Sequence, residues 1–350
     1  MADVIKRPTL SLARTKELVR ANIRWIMSGQ AREPITLYLV GDPGSGKTSA
    51  VRQVAQEEGL GYDDMIVAQW DPGELGGFPK MDPNRDDVPR ARPSWMPPLD
   101  SDWNVFLLDE LPQAQLSQLN IAAQLIQERR VGRHHLPEKT ILIATGNPQE
   151  NRAGTTKMPS HLRDRLTYVY VKTDAKQWCQ WAAAEGYHPA VIGYIKSQPD
   201  NLTEFDAAAE VANTARSWSK VDETVRMFGC DPDSDLMFAQ INGSVNCATD
   251  VVTYIRLWKT LPPIELILSD PMGAPLPPKD QVHLAYSLSG SIATAMDVNN
   301  FDACLAYLNR LGSRELTGFA IFAGKERNKQ LNSHPSVVKW ISTDGQKLLR

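Results

Sequence analysis

The sequence predicts an α/β protein, a mostly parallel sheet between helical layers with a helical region following it. Three observations carry that expectation. Apolar runs recur at 35–40, 65–69, 104–108, 140–145 and 166–171, separated by segments long enough for helical crossovers. The first run leads directly into Gly41-Asp42-Pro43-Gly44-Ser45-Gly46-Lys47-Thr48, a glycine-rich loop that opens a helix over 49–58. From 174 onward the pattern becomes helical, broken by Pro189 and Pro199.

In chain order, Leu10, Leu12, Leu18, Ile23 and Ile26 alternate with charges and predict an amphipathic helix over 9–27. Ile35 to Val40 then reads as a strand that delivers the loop. Gly41, Gly44 and Gly46 allow its backbone to wrap around phosphate oxygens, with Asp42, Pro43 and Ser45 completing the turn. Lys47 is expected to reach the β- and γ-phosphates, and the Thr48 hydroxyl to join the shell of a Mg²⁺ ion. Residues 71–102 form a long irregular insertion rich in Pro, Gly, Asp and Arg, either a functional loop or a surface excursion. In 115–130, Leu116, Leu119, Ala123 and Ile126 repeat at helical spacing and read as core packing.

Val105 to Leu108 run into Asp109 and Glu110, two carboxylates at the strand edge where α/β sheets bind ligands. Asp109 is expected to hold Mg²⁺ through its water shell and Glu110 to orient an attacking water, unless the pair is an ordinary acidic helix cap. Asn147 follows the strand Thr140 to Thr145, where its amide could bond that water and the γ-phosphate, although Asn before Pro148 is also a turn signal. Arg163 and Arg165 precede the strand Thr167 to Val171. Each either pairs with Asp164 or projects toward the γ-phosphate of a neighbouring subunit. Arg216, near the start of a helix, either reaches back to the bound nucleotide or is a surface residue.

Composition sets limits. The 350 residues suit one large domain or two to three ordinary ones, and 42% hydrophobic residues supply a core. A net charge of -3 argues against a generic polyanion binder, leaving open a local basic loop. Cys179, Cys230, Cys247 and Cys304 are scattered without a C-x-x-C pair and read as buried thiols in a reducing compartment. His134 and His135 are adjacent on an expected hairpin and lack companions for a metal site. No secretory opening and no membrane-spanning run is visible, so a cytoplasmic protein without membrane insertion is expected.

Taken together these segments resemble the MoxR family of AAA+ ATPases. GDPGSGKT at 41–48 and VFLLDE at 105–110 resemble its Walker A and B segments, and ATGNP at 144–148 its first sensor. LRDRL at 162–166 is similar to the arginine-finger region and ARSW at 215–218 to the second-sensor helix, with Ala215 where the family often has proline. DPGELGGFP at 71–79, ERRVGRHHLPEKT at 128–140 and HPSVVKWI at 334–341 resemble further segments of bacterial and phage members. The resemblance implies an AAA+ core over 1–173 with the insertion 71–102 and a hairpin near 128–140, a helical lid over 174–260 and a helical extension over 261–350. It implies Mg²⁺-dependent ATP hydrolysis to ADP and phosphate, with Arg216 reaching the nucleotide. It also implies self-association into a hexameric ring and a protein client remodelled or activated, in the company of a von Willebrand factor A-like (VWA-domain) partner. The location would be the cytoplasm, that of the host if the chain is phage-encoded. Two other classes compete. One is a nucleic-acid motor or replication accessory ATPase using Arg90, Arg92, Arg129, Arg130, Arg133, Lys139 and Arg152; the other is a noncatalytic ATP-gated scaffold.

Overall fold

The computed structural model describes residues 8–81, 87–147, 158–204, 210–278 and 282–345, the side chain of His283 aside. Pro148, Arg152 and residues 82–86 of the insertion therefore lie outside the described residues. The chain forms two compact units, Met1–Asp174 and Ala175–Arg350.

In chain order the first unit contains β1 (Thr9–Leu10), α1 (Leu12–Met27), β2 (Thr36–Val40), α2 (Lys47–Glu57), β3 (Gly61–Ile66), α3 (Pro72–Gly76) and β4 (Asn104–Asp109). There follow α4 (Leu116–Glu128), β5 (Arg130–Val131), β6 (His134–His135), β7 (Thr140–Gly146), α5 (Ser160–Arg163) and β8 (Leu166–Val171). Six strands form one sheet in the order β1-β8-β2-β7-β4-β3, and every pairing in it is parallel. β5 and β6 make a separate antiparallel hairpin.

Side chains alternate across a strand, and the central strands are buried on both faces. Leu37, Leu39, Val105, Leu107, Ile141 and Ile143 pack with Val19 and Ile23 of α1 and Val51 and Val54 of α2. Their neighbours Tyr38, Val40, Phe106, Leu108, Leu142 and Ala144 pack with Leu119, Ala123 and Ile126 of α4. This explains why these strands read as unbroken apolar runs rather than alternating ones. The loop-bearing strand β2 lies between β8 and β7, inside the sheet. Strand order, parallel pairing and the β2–loop–α2 unit make this an α/β fold with a P-loop NTPase core, with a helical part following it.

Two expectations change here. The second strand is not 65–69 but Gly61–Ile66, with Val67–Gln69 a short 3₁₀ turn. β3 is an outer strand with exposed Asp63 and Asp64, so its outward face lacks the apolar signal; Asn104 Nδ2 donates to Asp63 Oδ2 at 2.8 Å and ties it to β4. The first helix begins at Leu12 rather than at 9, because Ser11 caps it and Thr9–Leu10 pair with β8.

The second unit consists of α6 (Ala175–Ala184), α7 (Pro189–Ser197), α8 (Ala215–Met227), α9 (Asp235–Asn242), α10 (Ala248–Trp258), α11 (Ile264–Ser269), α12 (Val282–Ala295), α13 (Phe301–Arg310), α14 (Arg314–Arg327) and α15 (Pro335–Thr343). α8 begins at Ala215, where the Thr214 hydroxyl accepts from Ser217 N at 3.1 Å. Pro189 starts a helix instead of breaking one, since the first helical position needs no N–H donor, and His188 supplies the cap. The stretch 236–258 is two helices, α9 and α10. Two buried clusters fill this unit, one around Trp218, Val221, Tyr194 and Tyr254, the other around Phe301, Tyr307, Ile321 and Trp340. The four cysteines are free thiols. Among the described residues no helix is long and apolar enough to cross a membrane, and no three His, Cys, Asp or Glu side chains group as a metal site.

His188 gives the second unit a pH signature. Its Nδ1 accepts from Ala190 N at 3.2 Å, its ring meets Trp258 edge-on, and its own N–H donates to Asp222 Oδ1 at 2.5 Å. Burial, aided by the Arg226 charge, lowers the imidazole pKa from 6.5 to about 4. The unfolded chain therefore binds a proton that the folded chain rejects between those values. Stability is expected to fall as pH drops from 6.5 toward 4. Asn at 188 keeps a capping side chain without titrating, so urea unfolding of His188→Asn should show a flatter pH slope in that window than the native chain.

Candidate active site

The site is built where three parallel strands end. Val40 pairs with Gly146 and Leu108 with Ala144, so β2, β4 and β7 leave the sheet at one level. Beyond β2 the loop turns sharply. A Cβ on Gly41 would stand 2.6 Å from Val171 O of β8, a backbone atom that cannot give way, so the loop can start here only with glycine. Gly46 adopts φ 86 as the residue before α2, the left-handed conformation that glycine takes without penalty. Gly41 N donates to Gly146 O at 3.3 Å, joining the loop to the end of β7.

Lys47 is buried, and its Nζ donates to Gly41 O at 2.8 Å, Asp42 O at 2.9 Å, Ser45 Oγ at 3.3 Å and Asn147 Oδ1 at 3.3 Å. The ammonium is thus enclosed by the loop it belongs to, with Asn147 arriving from β7. Thr48 Oγ1 donates to Asp109 Oδ1 and Oδ2 at 3.2 and 3.0 Å. Asp109 Oδ1 also accepts from Glu110 N at 3.1 Å and from the Thr145 hydroxyl. Glu110 N lies 3.2 Å from Thr145 Oγ1, and the Glu110 carboxylate accepts from Gln113 Nε2. Glu110 itself has φ 51 and ψ 37, a left-handed backbone unusual for a residue with a Cβ.

The residues Gly41 to Thr48, Asp109, Glu110 and Asn147 therefore meet at one sheet edge. Thr145 and Gln113 belong to the same network, and the sequence reading did not select them. Thr145 carried a signal: it puts a hydroxyl directly after the apolar run Ile141 to Ala144, two residues before Asn147. Gln113 carried none beyond its place three residues after Glu110. Thr48 and Asp109 offer one hydroxyl and one carboxylate, hard oxygen donors within hydrogen-bond distance of each other. That set suits Mg²⁺, which takes one or two protein oxygens and keeps waters or phosphate oxygens for the rest.

Arg163 and Arg165 lie elsewhere. Leu166 pairs with Thr36, at the start of β2, whereas the loop leaves its end. Four residues of strand at ~3.3 Å each put ~13 Å between the two levels, so Arg165 sits at the opposite edge of the sheet from its own loop. Among the described residues neither arginine has a carboxylate partner, and the alternative pairing with Asp164 is not formed. Buried Leu162 and Leu166 anchor the segment while Arg163 is exposed and Arg165 half-buried. Arg216 belongs to the second unit, exposed in the first turn of α8.

The insertion and the hairpin are joined. His134 Nε2 donates to Arg90 O at 2.8 Å, and Arg92 donates to His135 O at 3.0 Å and Pro97 O at 2.6 Å. Pro79 bridges Arg90 within the insertion. Phe78, Met81, Val88 and Leu99 are exposed along it. Four cations of this region have internal partners: Arg90 on Gly77 O, Arg130 on Glu128, Arg133 on Asp87 and Lys139 on Asp102. Arg129 donates to Thr140 O and to the carbonyls of 137 and 138, and its burial lowers its pKa.

No protein-family model matches the chain, and no curated protein matches it. Among solved structures, a chain of the closed-state cryo-EM reconstruction of Hsp104 with ATPyS and FITC casein aligns with a TM-score of 0.36 at 15% identity. The alignment covers 51% of this chain and 36% of that one, so the present chain spans about a third of the Hsp104 chain's length. A likeness of that size assigns neither substrate nor partner. The fold stands on strand order and on the loop at the end of β2.

Proposed function

We propose that this chain is a Mg²⁺-dependent ATPase of the AAA+ class, MoxR-like, that assembles into a ring and remodels or activates a protein client. The observation that carries the reading is the convergence of Lys47, Thr48, Asp109, Glu110 and Asn147 at the ends of three in-register strands. A triphosphate entering the loop exchanges its oxygens for the acceptors now around Lys47 Nζ, and Asn147, already at that ammonium, meets the γ-phosphate. Mg²⁺ held at Thr48 and Asp109 would neutralise charge between the β- and γ-phosphates. Glu110 accepts a proton from water as the water oxygen attacks the γ-phosphorus; the bond to the bridging oxygen breaks, and ADP and phosphate leave. Thr145 positions Asp109 and the Glu110 backbone but touches no substrate.

Arg165 completes the site from another subunit. Its separation from its own loop by the length of β2 supports action in trans, with Arg163 beside it. Arg216, on the helical lid proposed for 174–260, follows the nucleotide from the second unit, and 261–350 extends that lid. The joined insertion and hairpin, with their exposed apolar side chains, suit a protein client or a VWA-domain partner. A nucleic-acid motor is disfavoured because six of the seven cations it would need are engaged internally and the seventh, Arg152, lies outside the described residues.

Glu110→Gln should bind ATP about as tightly as the native chain yet turn over about 10²-fold or more slowly, as expected for loss of a general base. Normal phosphate release from that variant would remove Glu110 from its role. Thr145→Val, nearly isosteric, should keep ATP affinity within about threefold while slowing turnover by about tenfold, the effect of one lost charge-assisted hydrogen bond. Arg165→Ala should lose about 10³-fold in turnover. Mixed with Glu110→Gln, it should regain phosphate release, since one type of interface then combines Glu110 with Arg165. Failure of the mixture to recover, with mixed assemblies shown by mass measurement, would overturn catalysis in trans.

A further inference from the structure

Within the second unit, α6, α7, α12 and α14 line a partly open cavity of about 190 Å³ that the ATPase reading does not use. Its walls are largely apolar, from Ala183, Tyr187, Pro189 and Ile192, and its charge comes from Lys196 and Arg327. None of the residues lining it is acidic. Lys196 Nζ stands 4.0 Å from the centre of the Phe319 ring and would lie 3.7 Å from a Cβ placed on Gly290. Among the described residues it donates no hydrogen bond and joins no ion pair. Burial lowers its pKa, opposed by the nearby Cys179 thiol. Arg327 Nη1 donates to Thr294 Oγ1 at 3.1 Å and approaches Ala183 O at 3.5 Å, and it too lacks a carboxylate partner among the described residues.

The cavity's hydroxyls are already occupied. Tyr187 OH pairs with Ser219 Oγ at 2.6 Å, and Ser287 Oγ with Tyr254 OH at 2.6 Å. What remains is donor capacity: the half-buried Lys196 ammonium, whose three N–H groups find no acceptor among the described residues, and the exposed Arg327 guanidinium on the same lining, which keeps N–H groups beyond its bonds to Thr294 and Ala183. A half-buried ammonium without an acceptor gains from an anion that meets it. The apolar walls would leave the remaining oxygens of a phosphate unsatisfied, whereas a carboxylate presents only two oxygens, on one side of an apolar body. A cavity of ~150 Å³ admits benzene, so this one holds a body of roughly that size together with its carboxylate.

We propose that this cavity binds a small monocarboxylate with an apolar body, its oxygens held between Lys196 and Arg327. The carboxylate belongs either to a free acid or to the terminus of another polypeptide. Benzoate and neutral benzamide, titrated by calorimetry into the full chain, test the charge requirement. Benzoate should bind at least about tenfold more tightly than benzamide, the effect of charge-assisted hydrogen bonds. Lys196→Met, which keeps the stem over Phe319, and Arg327→Gln should each weaken benzoate by about tenfold without changing the melting temperature or basal ATP turnover. Because bound carboxylate favours the charged lysine, binding at alkaline pH should take up protons in the native chain but not in Lys196→Met. If Lys196→Met fails to fold, the exposed Arg327→Gln and the benzamide comparison still decide. Equal affinity for benzoate and benzamide, benzoate binding undiminished in Arg327→Gln, or no benzoate binding would overturn the proposal. A peptide ending in Phe with a free carboxylate, against its amide, separates the sources: binding of benzoate alone assigns a free acid, and binding of the free-carboxylate peptide a chain terminus.

Discussion

In the first unit Leu108 of β4 lies beside Ala144 of β7, and Val40 of β2 beside Gly146, each pair held by parallel backbone hydrogen bonds. This register brings the next residues, Asp109 and Thr145, alongside each other and sets the phosphate loop within reach of Asn147. A slip of one residue would move a strand by ~3.3 Å and turn each of its side chains to the other face. Such a slip is resisted from both sides of the sheet, because Leu107 and Leu108 are each fully buried against different helices. The packing that stabilises the sheet and the geometry that assembles the site are thus one constraint.

Charge is handled differently at the phosphate loop and at the cavity of the second unit. In the first, the lysine of the loop is surrounded by acceptors, so a phosphate must displace internal contacts rather than fill an empty field. Entry is an exchange of hydrogen bonds, in which the surplus comes from the anionic charge. The insertion and hairpin follow the same rule, with Arg90, Arg92, Arg129, Arg130, Arg133 and Lys139 turned onto carbonyls and carboxylates and Phe78, Met81, Val88 and Leu99 left outward. Among the described residues of the second unit, Lys196 and Arg327 have no such acid.

The fold class and most of the first site were legible because each functional residue directly follows an unbroken apolar run. Gly41, Asp109 and Asn147 all stand where a buried strand ends, and sequence order alone gives that position. β3 was misplaced because an outer strand with Asp63 and Asp64 loses the signal that marks the inner ones. The helical unit was read with errors where one residue type has two meanings: Pro189 can end a helix or begin one, and only the backbone before it decides. The hydroxyl of Thr145 was passed over because its importance depends on a neighbour 36 residues away in sequence that lies on the adjacent strand. The arginines were named readily, but their placement at the far sheet edge and in a second unit follows from tertiary structure.

The backbone of Glu110 sets two demands against each other. A left-handed conformation costs a residue with a Cβ roughly 1–2 kcal/mol, and glycine adopts it freely. Replacement by glycine would therefore relax the turn after β4 while deleting the carboxylate. Selection for folding alone would drift toward the smaller residue at this position, and selection for hydrolysis would hold the acid in place. A consensus or thermostability redesign of this chain, blind to chemistry, would meet here a substitution that improves the fold by removing the function.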